Sequence, residues 1–336
     1  MLGKLSQRVK KYQNYVKKLH NSFSTPPRML YRYLRSTLGI ITPEMERVAA
    51  GESQEVYEIQ KNPQKKFVIK ISRKEEKQLE RIVWVSKHLR QLHLPVPRIL
   101  YMKTVFVRNR SLVFYLEKKI QGQSLLLFLS QQKKVNRRKL NSLMYGFGRM
   151  LKKIHSVKTS GFDLIDGRGK GQFKTWNDFM LDPLQRRKEF QIMAKKIHIK
   201  ERYVNLALSL LLKYQEVYKN VEPRLLYGDL SPKNLLVYDF KITGLIDFED
   251  AMSGDPVFDF ARWSFFGYFH QIPLKLIYPG YDQRVLSQKN FALKKKLYRV
   301  RFSIDFLNYM VIKGNLTGLE YAKKKFMKDV EILNKR

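Results

Sequence analysis

The residues best suited to chemistry lie in a short acidic segment between Glu222 and Phe260. The segment has eight acidic and three basic residues, a net charge of −5 in a chain whose formal net charge is +37. Carboxylates grouped in this way either hold a divalent cation or form an internal network of ion pairs. Asn234 follows Asp229 by five residues, and Asp247 follows Asn234 by thirteen, after two apolar strand-like runs. One carboxylate beside an attacking hydroxyl and two oxygen ligands for Mg²⁺ are what phosphoryl transfer requires.

Three motifs in this segment resemble the aminoglycoside phosphotransferase family, which shares the protein-kinase-like fold and includes choline-kinase-like relatives. They are Y-G-D-L-S-P-K-N-L-L from Tyr227, G-L-I-D-F-E-D-A from Gly244 and G-D-P-V-F-D-F-A from Gly254. Upstream, residues 50–57 are similar to the family's phosphate-covering hairpin, and residues 67–70 to the strand that carries its lysine. Further matches lie at residues 94–97, 116–122 and 151–155. The resemblance covers about residues 45–265 in the family's order.

The resemblance implies a role for each residue at a matching position. Asp229 is the catalytic base or orients the substrate hydroxyl, while Asn234 and Asp247 are the Mg²⁺ ligands. Lys70 contacts the nucleotide phosphates. The other cofactor-binding residues that we expect are Gly51, Ser53, Glu80 and Glu117. ATP and Mg²⁺ are the implied cofactors.

In kinases the strand lysine pairs with a glutamate of the neighbouring helix. Glu80 is our candidate for this partner of Lys70 because it lies beside the apolar helix face that Leu79 and Ile82 define. Glu76, one turn earlier, is the alternative.

Other residues of the motifs are expected to support the site. Asp259 accepts backbone hydrogen bonds that brace the catalytic loop, and His155 is a partly buried structural residue. Glu249 either supports a metal ligand without binding the metal itself or forms a salt bridge. Tyr227 stands where the family usually has histidine, and its phenol can also donate a hydrogen bond.

The residue patterns predict an α+β, bilobal protein-kinase-like fold. Residues 44–120 form a nucleotide-binding lobe with a small antiparallel sheet and one helix, since strand-like runs near 47–50, 55–60, 66–72, 99–107 and 111–118 flank one helical segment. Residues 121–336 form a larger helical lobe that contains the catalytic loop, 225–260. Its helices are expected at roughly 124–131, 137–156, 176–193, 200–219, 285–313 and 317–334.

Residues 1–43 form a basic amphipathic helical arm with nine Lys and Arg and no acidic residue. Pro26 and Pro27 interrupt it, a second short helix runs through Leu30, Leu34 and Leu38, and Gly39 suits its end. We expect the arm to pack on the body. Contact with a membrane surface or with nucleic acid is the alternative.

Composition excludes several classes of protein. The chain has no cysteine, which rules out disulfides, thiolate metal sites and a cysteine nucleophile, and its six histidines lack metal-ligand spacing. Its longest apolar runs are far shorter than the roughly 20 residues that span a bilayer, and no apolar segment follows the basic N-terminus. A cytoplasmic protein is therefore expected.

The sequence predicts a small-molecule phosphotransferase that transfers the γ-phosphate of ATP to a hydroxyl. Gly254 follows Asp247 by seven residues and Asp259 follows it by twelve, which leaves no room for the activation segment of a protein kinase. The lysine-rich C-terminal region disfavours a polycationic acceptor, so a neutral or anionic one is expected. The alternative is a non-catalytic nucleotide-binding module that docks on RNA or membrane through its basic surface. The oligomeric state is left open.

Overall fold

The computed structural model of the protein describes residues 7, 10, 13, 14, 16, 17, 25–39, 44–48, 54–62, 65–72, 76–107, 110–267, 271–312, 314 and 318–335. These residues form two compact units. The strand-rich unit comprises the described residues of Met1–Leu143, Pro232–Glu249 and Phe269–Gln271. The helical unit comprises those of Met144–Ser231, Asp250–Tyr268 and Ile272–Arg336.

The described elements follow the predicted order of a strand-rich part and a helical part. In chain order the strands are β1 (Glu44–Val48), β2 (Gln54–Asn62), β3 (Lys65–Ser72), β4 (Ile99–Val107), β5 (Arg110–Lys118), β6 (Gln123–Ser124), β7 (Asp163–Leu164), β8 (Arg224–Leu226), β9 (Leu235–Tyr238), β10 (Lys241–Leu245) and β11 (Met252–Gly254). The α-helices are α1 (Pro27–Leu38), α2 (Glu76–Gln91), α3 (Leu125–Ser130), α4 (Arg137–Ile154), α5 (Trp176–Gln185), α6 (Arg187–Lys196), α7 (Glu201–Lys213), α8 (Val257–Phe265), α9 (Gln283–Leu286), α10 (Phe291–Ile312) and α11 (Leu319–Asn334).

The strand-rich unit is built on a five-stranded antiparallel sheet with the spatial order β1-β2-β3-β5-β4. Side chains alternate across each strand, so every strand of this sheet contributes to both faces. In β5, Phe114 and Leu116 point to one face, while Val113 and Tyr115 point to the other. Both faces are apolar, and each is covered by a helix.

The helix α2 covers the face that contains Val113 and Tyr115, through Leu79 and Ile82. The opposite face is covered by α1, whose Leu30, Tyr33 and Leu34 are buried against the sheet. Gly39 ends α1 in the left-handed conformation, with φ 63°, as its position in the sequence predicts.

A buried polar contact reinforces the position of α1. The backbone N–H and the hydroxyl of Thr25 donate hydrogen bonds of 2.8 and 2.9 Å to the Glu55 carboxylate on β2. The expectation that this arm packs on the body is therefore confirmed for residues 25–39. Most of residues 1–24 lie outside the described residues.

The acidic segment between Glu222 and Phe260 begins in the helical unit and enters the strand-rich unit at Pro232. Residues Pro232–Asn234 form a 3₁₀ turn that leads into the hairpin of β9 and β10, and β9 also pairs with β6. Asp239 and Phe240 have positive φ values of 43° and 54°, as the two-residue turn of such a hairpin requires. This hairpin separates Asn234 from Asp247.

The helical unit surrounds α10, which is buried along most of its length and packs against α8 and α11. A small sheet with the order β7-β11-β8 supports the chain that leads to Asp229. Trp176, at the start of α5, donates a 3.0 Å hydrogen bond to the Tyr298 hydroxyl on α10. That hydroxyl in turn donates to Asp255 over 2.7 Å. Within the described residues, no helix combines the length and apolar character needed to cross a bilayer.

The predicted α+β class is confirmed, but the helix α8 was not predicted, and three of the predicted helices differ in their bounds by more than two residues. The helix predicted at 176–193 is divided into α5 and α6 at Arg186. The helix predicted at 200–219 ends at Lys213, and the one predicted to begin at 285 begins at Phe291 after the single turn α9. Helix ends are set by local contacts more than by periodicity, which is why their positions were less well predicted.

Candidate active site

Lys70 on β3 forms an ion pair with Glu117 on β5, with 3.2 Å between Nζ and Oε2. Val68 lies opposite Glu117 in the ladder and Lys70 opposite Tyr115, so the two charged residues are diagonal neighbours on one face. This is the face that α2 covers, and both side chains are largely buried. The sheet register therefore brings together two of the predicted cofactor-binding residues.

Glu80, predicted as the partner of Lys70, is exposed on α2. It lies on the same side of the helix as Val83, which is 40% exposed, whereas Leu79 and Ile82 point to the sheet. The rotation of about 100° per helical residue therefore directs Glu80 away from the face it was expected to share. Among the described side chains, the glutamate that forms an ion pair with Lys70 is Glu117. Gly51, Ser53 and the side chain of Glu76 lie outside the described residues.

Three carboxylates surround the Lys70 ammonium. Burial by itself lowers the pKa of Lys70, but the charges of Glu117, Asp247 and Glu249 outweigh it and raise the pKa above its ordinary value. A cavity of about 10 Å³ adjoins these side chains. This volume holds about one water molecule. Lys70 is therefore a buried, permanently charged group enclosed by anionic side chains.

A chain of buried hydrogen bonds connects Glu249 to the sheet. The Tyr115 hydroxyl donates to Gln54 Oε1 over 2.8 Å, and Gln54 Nε2 donates to the Glu249 carboxylate. Arg81 on α2 donates to the Glu249 carbonyl oxygen. Burial, followed by the Glu249 charge, raises the pKa of Tyr115 well above its usual range. Sequence analysis missed Gln54, which lies just before a predicted strand, and Tyr115, which lies on one.

The hairpin of β9 and β10 holds Asn234 next to the residues around Asp247. Asn234 is 3% exposed, and its carbonyl oxygen accepts a 3.0 Å hydrogen bond from the N–H of Ile246. Asp247 has a φ of 67°, a left-handed conformation that is rare for a residue other than glycine and is typical of functional sites. One amide oxygen and one carboxylate are thus presented from two ends of a short, rigid hairpin.

These two side chains suit a hard divalent cation. Mg²⁺ is usually held by one or two protein oxygen ligands, with water and substrate phosphates completing its shell. Across the described residues, no three His, Cys, Asp or Glu side chains group closely enough to hold a metal by themselves. The donor set therefore fits an ion that arrives with a phosphate ligand rather than one held in a cage of protein ligands.

Asp229 lies in the helical unit, where its carboxylate pairs with Arg262 on α8. The Arg262 guanidinium donates to Oδ1 over 3.0 Å, and both side chains are mostly buried. The guanidinium also lies 4.6 Å from the ring centroid of Phe302, so its position is fixed by packing as well as by charge. Sequence analysis did not identify Arg262 as part of the site.

Asp259 braces the loop that carries Asp229, as predicted. Its two carboxylate oxygens accept hydrogen bonds from the backbone N–H groups of Tyr227, over 2.7 Å, and Gly228, over 3.1 Å. His155 Nε2 lies 3.0 Å from the same carboxylate, and its Nδ1 lies 2.7 Å from the Tyr281 hydroxyl. Asp259 is fully buried, and His155 has the structural role that was expected.

Gly228 allows the backbone to make this turn. Its φ is 80°, and a Cβ atom built there would lie 1.6 Å from the carbonyl oxygen of Asp250. Only glycine fits at this position, immediately before Asp229.

The five-stranded antiparallel sheet with its helix α2, followed by a mainly helical unit, is the architecture of the protein-kinase-like fold. The phosphotransferase enzyme family (APH) matches residues 44–278, more than half of the chain, so the protein belongs to this family.

Known proteins agree with this assignment. Hygromycin-B 4-O-kinase of Escherichia coli is 23% identical over 246 residues, which are 71% of this chain and 67% of that enzyme. A thermostable mutant of the aminoglycoside phosphotransferase APH(4)-Ia in its apo form superimposes with a TM-score of 0.72 at 19% identity, covering 90% of this chain and 98% of that one. A ternary complex of that enzyme with AMP-PNP and hygromycin B gives 0.70 at 20% identity, over 90% and 97%. ADP-bound aminoglycoside phosphotransferase APH(2'')-Ib superimposes with a TM-score of 0.60 at 19% identity, covering 91% of this chain and 98% of that one.

Proposed function

We propose that the protein is an ATP- and Mg²⁺-dependent phosphotransferase that transfers the γ-phosphate to a hydroxyl of a small molecule. The observation that carries this proposal is the placement of Lys70, Asn234 and Asp247 within one unit, on the sheet and hairpin where the fold family carries its nucleotide-binding groups. The complexes of similar fold with AMP-PNP and ADP support a nucleotide as the phosphate donor.

Each residue then has a defined task. Lys70 binds nucleotide phosphates, which take the place of one of its present carboxylate contacts. Asn234 and Asp247 would hold Mg²⁺, which when bound would supply positive charge to the transferred phosphoryl group. Asp229 accepts the proton of the acceptor hydroxyl or orients that hydroxyl. Asp259 and Gly228 fix the loop on which Asp229 depends.

We further propose that the acceptor is neutral or anionic. A polycationic acceptor requires carboxylates that are available to it, but acidic side chains of the helical unit are already paired with basic ones. These pairs are Asp182 and Glu189 with Arg186, Asp229 with Arg262, Asp255 with Lys294, Asp305 with Arg301, and Asp329 with Arg299. An aminoglycoside that bound to these particular carboxylates would have to displace their basic partners.

The test is ADP release by the purified protein with ATP, Mg²⁺ and a panel of acceptors. The panel contains neutral sugars and alcohols, their phosphorylated or carboxylated analogues, and hygromycin B. We expect acceptor-dependent turnover with a neutral or anionic compound, and a loss of about 10²- to 10⁴-fold in Asp229→Asn. Asp239→Asn is the matched control, since Asp239 is an exposed turn residue of the hairpin. Efficient turnover of hygromycin B alone would contradict the proposed acceptor class but not the phosphotransferase.

One observation favours a second function, docking of a non-catalytic module on RNA or an anionic membrane. Arg28, Arg32 and Arg35 form an exposed stripe along α1. The apolar face of the same helix is covered by the sheet, so any such contact would be electrostatic and weakened by salt. This function is supported if Asp229→Asn retains the full cellular role while substitution of the three arginines removes it.

A further inference from the structure

A second concave site lies in the strand-rich unit and shares Val96 with the lining of the small cavity beside Lys70. It is a cavity of about 420 Å³, within the size range of small-molecule sites. Four basic residues line it: Arg90 at the end of α2, Arg98 in the segment before β4, and Lys118 and Lys119 at the end of β5. Among the described residues, no acidic side chain lines this cavity.

Only one of the four cations has a carboxylate partner within the described residues. Lys119 pairs with Glu58, while Arg90, Arg98 and Lys118 form no ion pair there. The C-terminal end of the α2 dipole favours a cation at Arg90. Arg98 and Lys118 lie on extended segments and have no such compensation. The cavity therefore concentrates positive charge that the described chain leaves unneutralised.

The walls of the cavity are held together by the backbone. The N–H of Lys118 donates a 3.1 Å hydrogen bond to the carbonyl oxygen of Arg98. Leu94 and Val96 also line the cavity and are themselves buried, 6% and 8% exposed. The backbone of the cavity wall is thus held in place, with exposed basic side chains at its rim and apolar side chains below them.

We propose that this cavity binds a small organic anion that carries a phosphate group on an apolar or planar body. Arginine presents paired donors that match phosphate oxygens, and lysine adds a point charge. The apolar residues accommodate the organic part. The ligand need not react, because neither Asp229 nor either proposed Mg²⁺ ligand lines the cavity.

The cavity is also connected to the hairpin of the proposed active site. The carbonyl oxygen of Pro95, between Leu94 and Val96, accepts a 2.8 Å hydrogen bond from the N–H of Leu245. Leu245 lies two residues before Asp247. A ligand in the cavity therefore contacts the segment that supports the end of β10.

The test is a fluorescence titration with 1-naphthyl phosphate, which has a phosphate on an apolar ring but no hydroxyl acceptor. Saturating AMP-PNP and Mg²⁺ are present throughout, so that the nucleotide site is occupied. We expect saturable binding at one site, and at least about tenfold weaker binding when Arg98→Gln and Lys118→Gln are combined, since charged hydrogen bonds contribute about 1.5–3 kcal/mol each. 1-Naphthol, which lacks the phosphate, is expected not to bind.

The double variant Lys195→Gln, Lys196→Gln is the matched control, because it removes two exposed positive charges from the helical unit. Equal weakening in both double variants would overturn the proposal, since binding would then follow net charge alone. Loss of binding in Lys70→Ala would assign the probe to the nucleotide site and also overturn the proposal. Vesicles of phosphatidylcholine with phosphatidic acid test whether a lipid phosphate uses the same two residues. Thermal unfolding confirms that each variant is folded.

Discussion

At the scale of single residues, Arg262 controls the candidate base most directly. Its guanidinium is held by the Phe302 ring on one side and by the Asp229 carboxylate on the other, and its Nε has no hydrogen-bond partner. Because this side chain is fixed by packing, it restricts the orientations open to Asp229. Arg262, on the helix α8, thus positions the candidate base Asp229.

We expect Arg262→Gln to lower kcat/KM by about 10- to 100-fold, the effect of losing one hydrogen bond between charged groups. Arg262→Lys restores part of the activity, since the charge remains but the planar fork does not. Steady-state kinetics measure this. Arg284→Gln is the control, because Arg284 pairs with Asp282 at an exposed position. Equal activity of Arg262→Gln and wild type would show that Asp229 is positioned without Arg262.

Gly228 gives a prediction about stability. Gly228→Ala places a methyl group against the Asp250 carbonyl oxygen and requires a left-handed backbone for alanine. We therefore expect the free energy of unfolding to fall by at least about 2 kcal/mol. Gly146→Ala, inside α4 with no atom within 4 Å of its Cβ position, is expected to stabilise by about 0.5–1 kcal/mol. Urea unfolding measures both. Similar effects in the two variants would contradict the steric argument.

Sequence analysis proposed candidate site residues from their local spacing, but it did not show the contacts that depend on strand register. Asp229, Asn234 and Asp247 lie on one continuous segment, so their intervals were visible. The pairing of Lys70 with Glu117 depends on how two strands 47 positions apart align, which one sequence does not show. The contact of Arg262 with Asp229 likewise joins residues 33 positions apart, which one sequence does not show.

At the scale of elements, α1 completes the core of the strand-rich unit. It buries Leu30, Tyr33 and Leu34 on a face of the sheet that would otherwise be open to water. Periodicity predicted the helix and its end at Gly39. It did not predict which surface the helix covers, because an amphipathic stripe is compatible with a sheet, a partner or a membrane.

We expect Leu34→Ala to lower the free energy of unfolding by about 2–5 kcal/mol, the usual cost of truncating a buried leucine. Arg35→Ala, on the exposed side of the same helix, is expected to change it by less than about 0.5 kcal/mol. Urea denaturation of both variants tests this. If Leu34→Ala is neutral, α1 is not part of the core in solution.

The packing of α10 against α11 predicts a dependence of stability on pH. Burial, followed by the charges of Arg299 and Lys328, lowers the pKa of Lys325 to about 8 from 10.5. Between these values the unfolded chain binds more protons, so the Lys325 contribution to stability rises with pH there. Below about pH 8 the folded state carries the cost of the buried charge.

Lys325→Met is therefore expected to stabilise the protein at pH 7. It should also remove the contribution of Lys325 to the increase in the free energy of unfolding between about pH 8 and 10.5. The measurement is the free energy of unfolding of variant minus wild type across this range. Lys324→Met, at an exposed neighbouring position, is the control and should show a flat difference. If the free energy of unfolding increases with pH as steeply in Lys325→Met as in the wild type, groups other than Lys325 cause the increase.

At the scale of the whole molecule, the charge of +37 is unevenly distributed. It includes an exposed arginine stripe on α1, a cationic cavity beside β5 and basic residues already paired with acids in the helical unit. The acidic segment of the sequence is the exception, and it contains the proposed Mg²⁺ ligands. Net charge therefore bears on which small molecules the protein attracts, whereas the local acidic segment bears on its chemistry.

ATP with Mg²⁺ is expected to stabilise the protein by about 2.7 kcal/mol at a concentration 100-fold above its Kd. Asp247→Asn should remove the part of this effect that depends on Mg²⁺ and keep the remainder that comes from Lys70 and the sheet. Thermal unfolding with ATP, in the presence of Mg²⁺ or EDTA, measures both parts. A Mg²⁺ effect that is unchanged in Asp247→Asn would contradict its assignment as a ligand.

The division of the acidic segment between the two units has a consequence for biosynthesis. Residues Pro232–Glu249 complete the strand-rich unit, whose other main part ends at Leu143. A ribosome delivers the N-terminal part first, and domains generally fold as units during synthesis. The strand-rich unit can acquire its full set of contacts only after residue 271 of 336, which also belongs to it, has been made and has left the exit tunnel. Until β9 has emerged, β6 lacks its partner, and the nascent chain must keep this part of the unit unfinished while much of the helical unit is being translated.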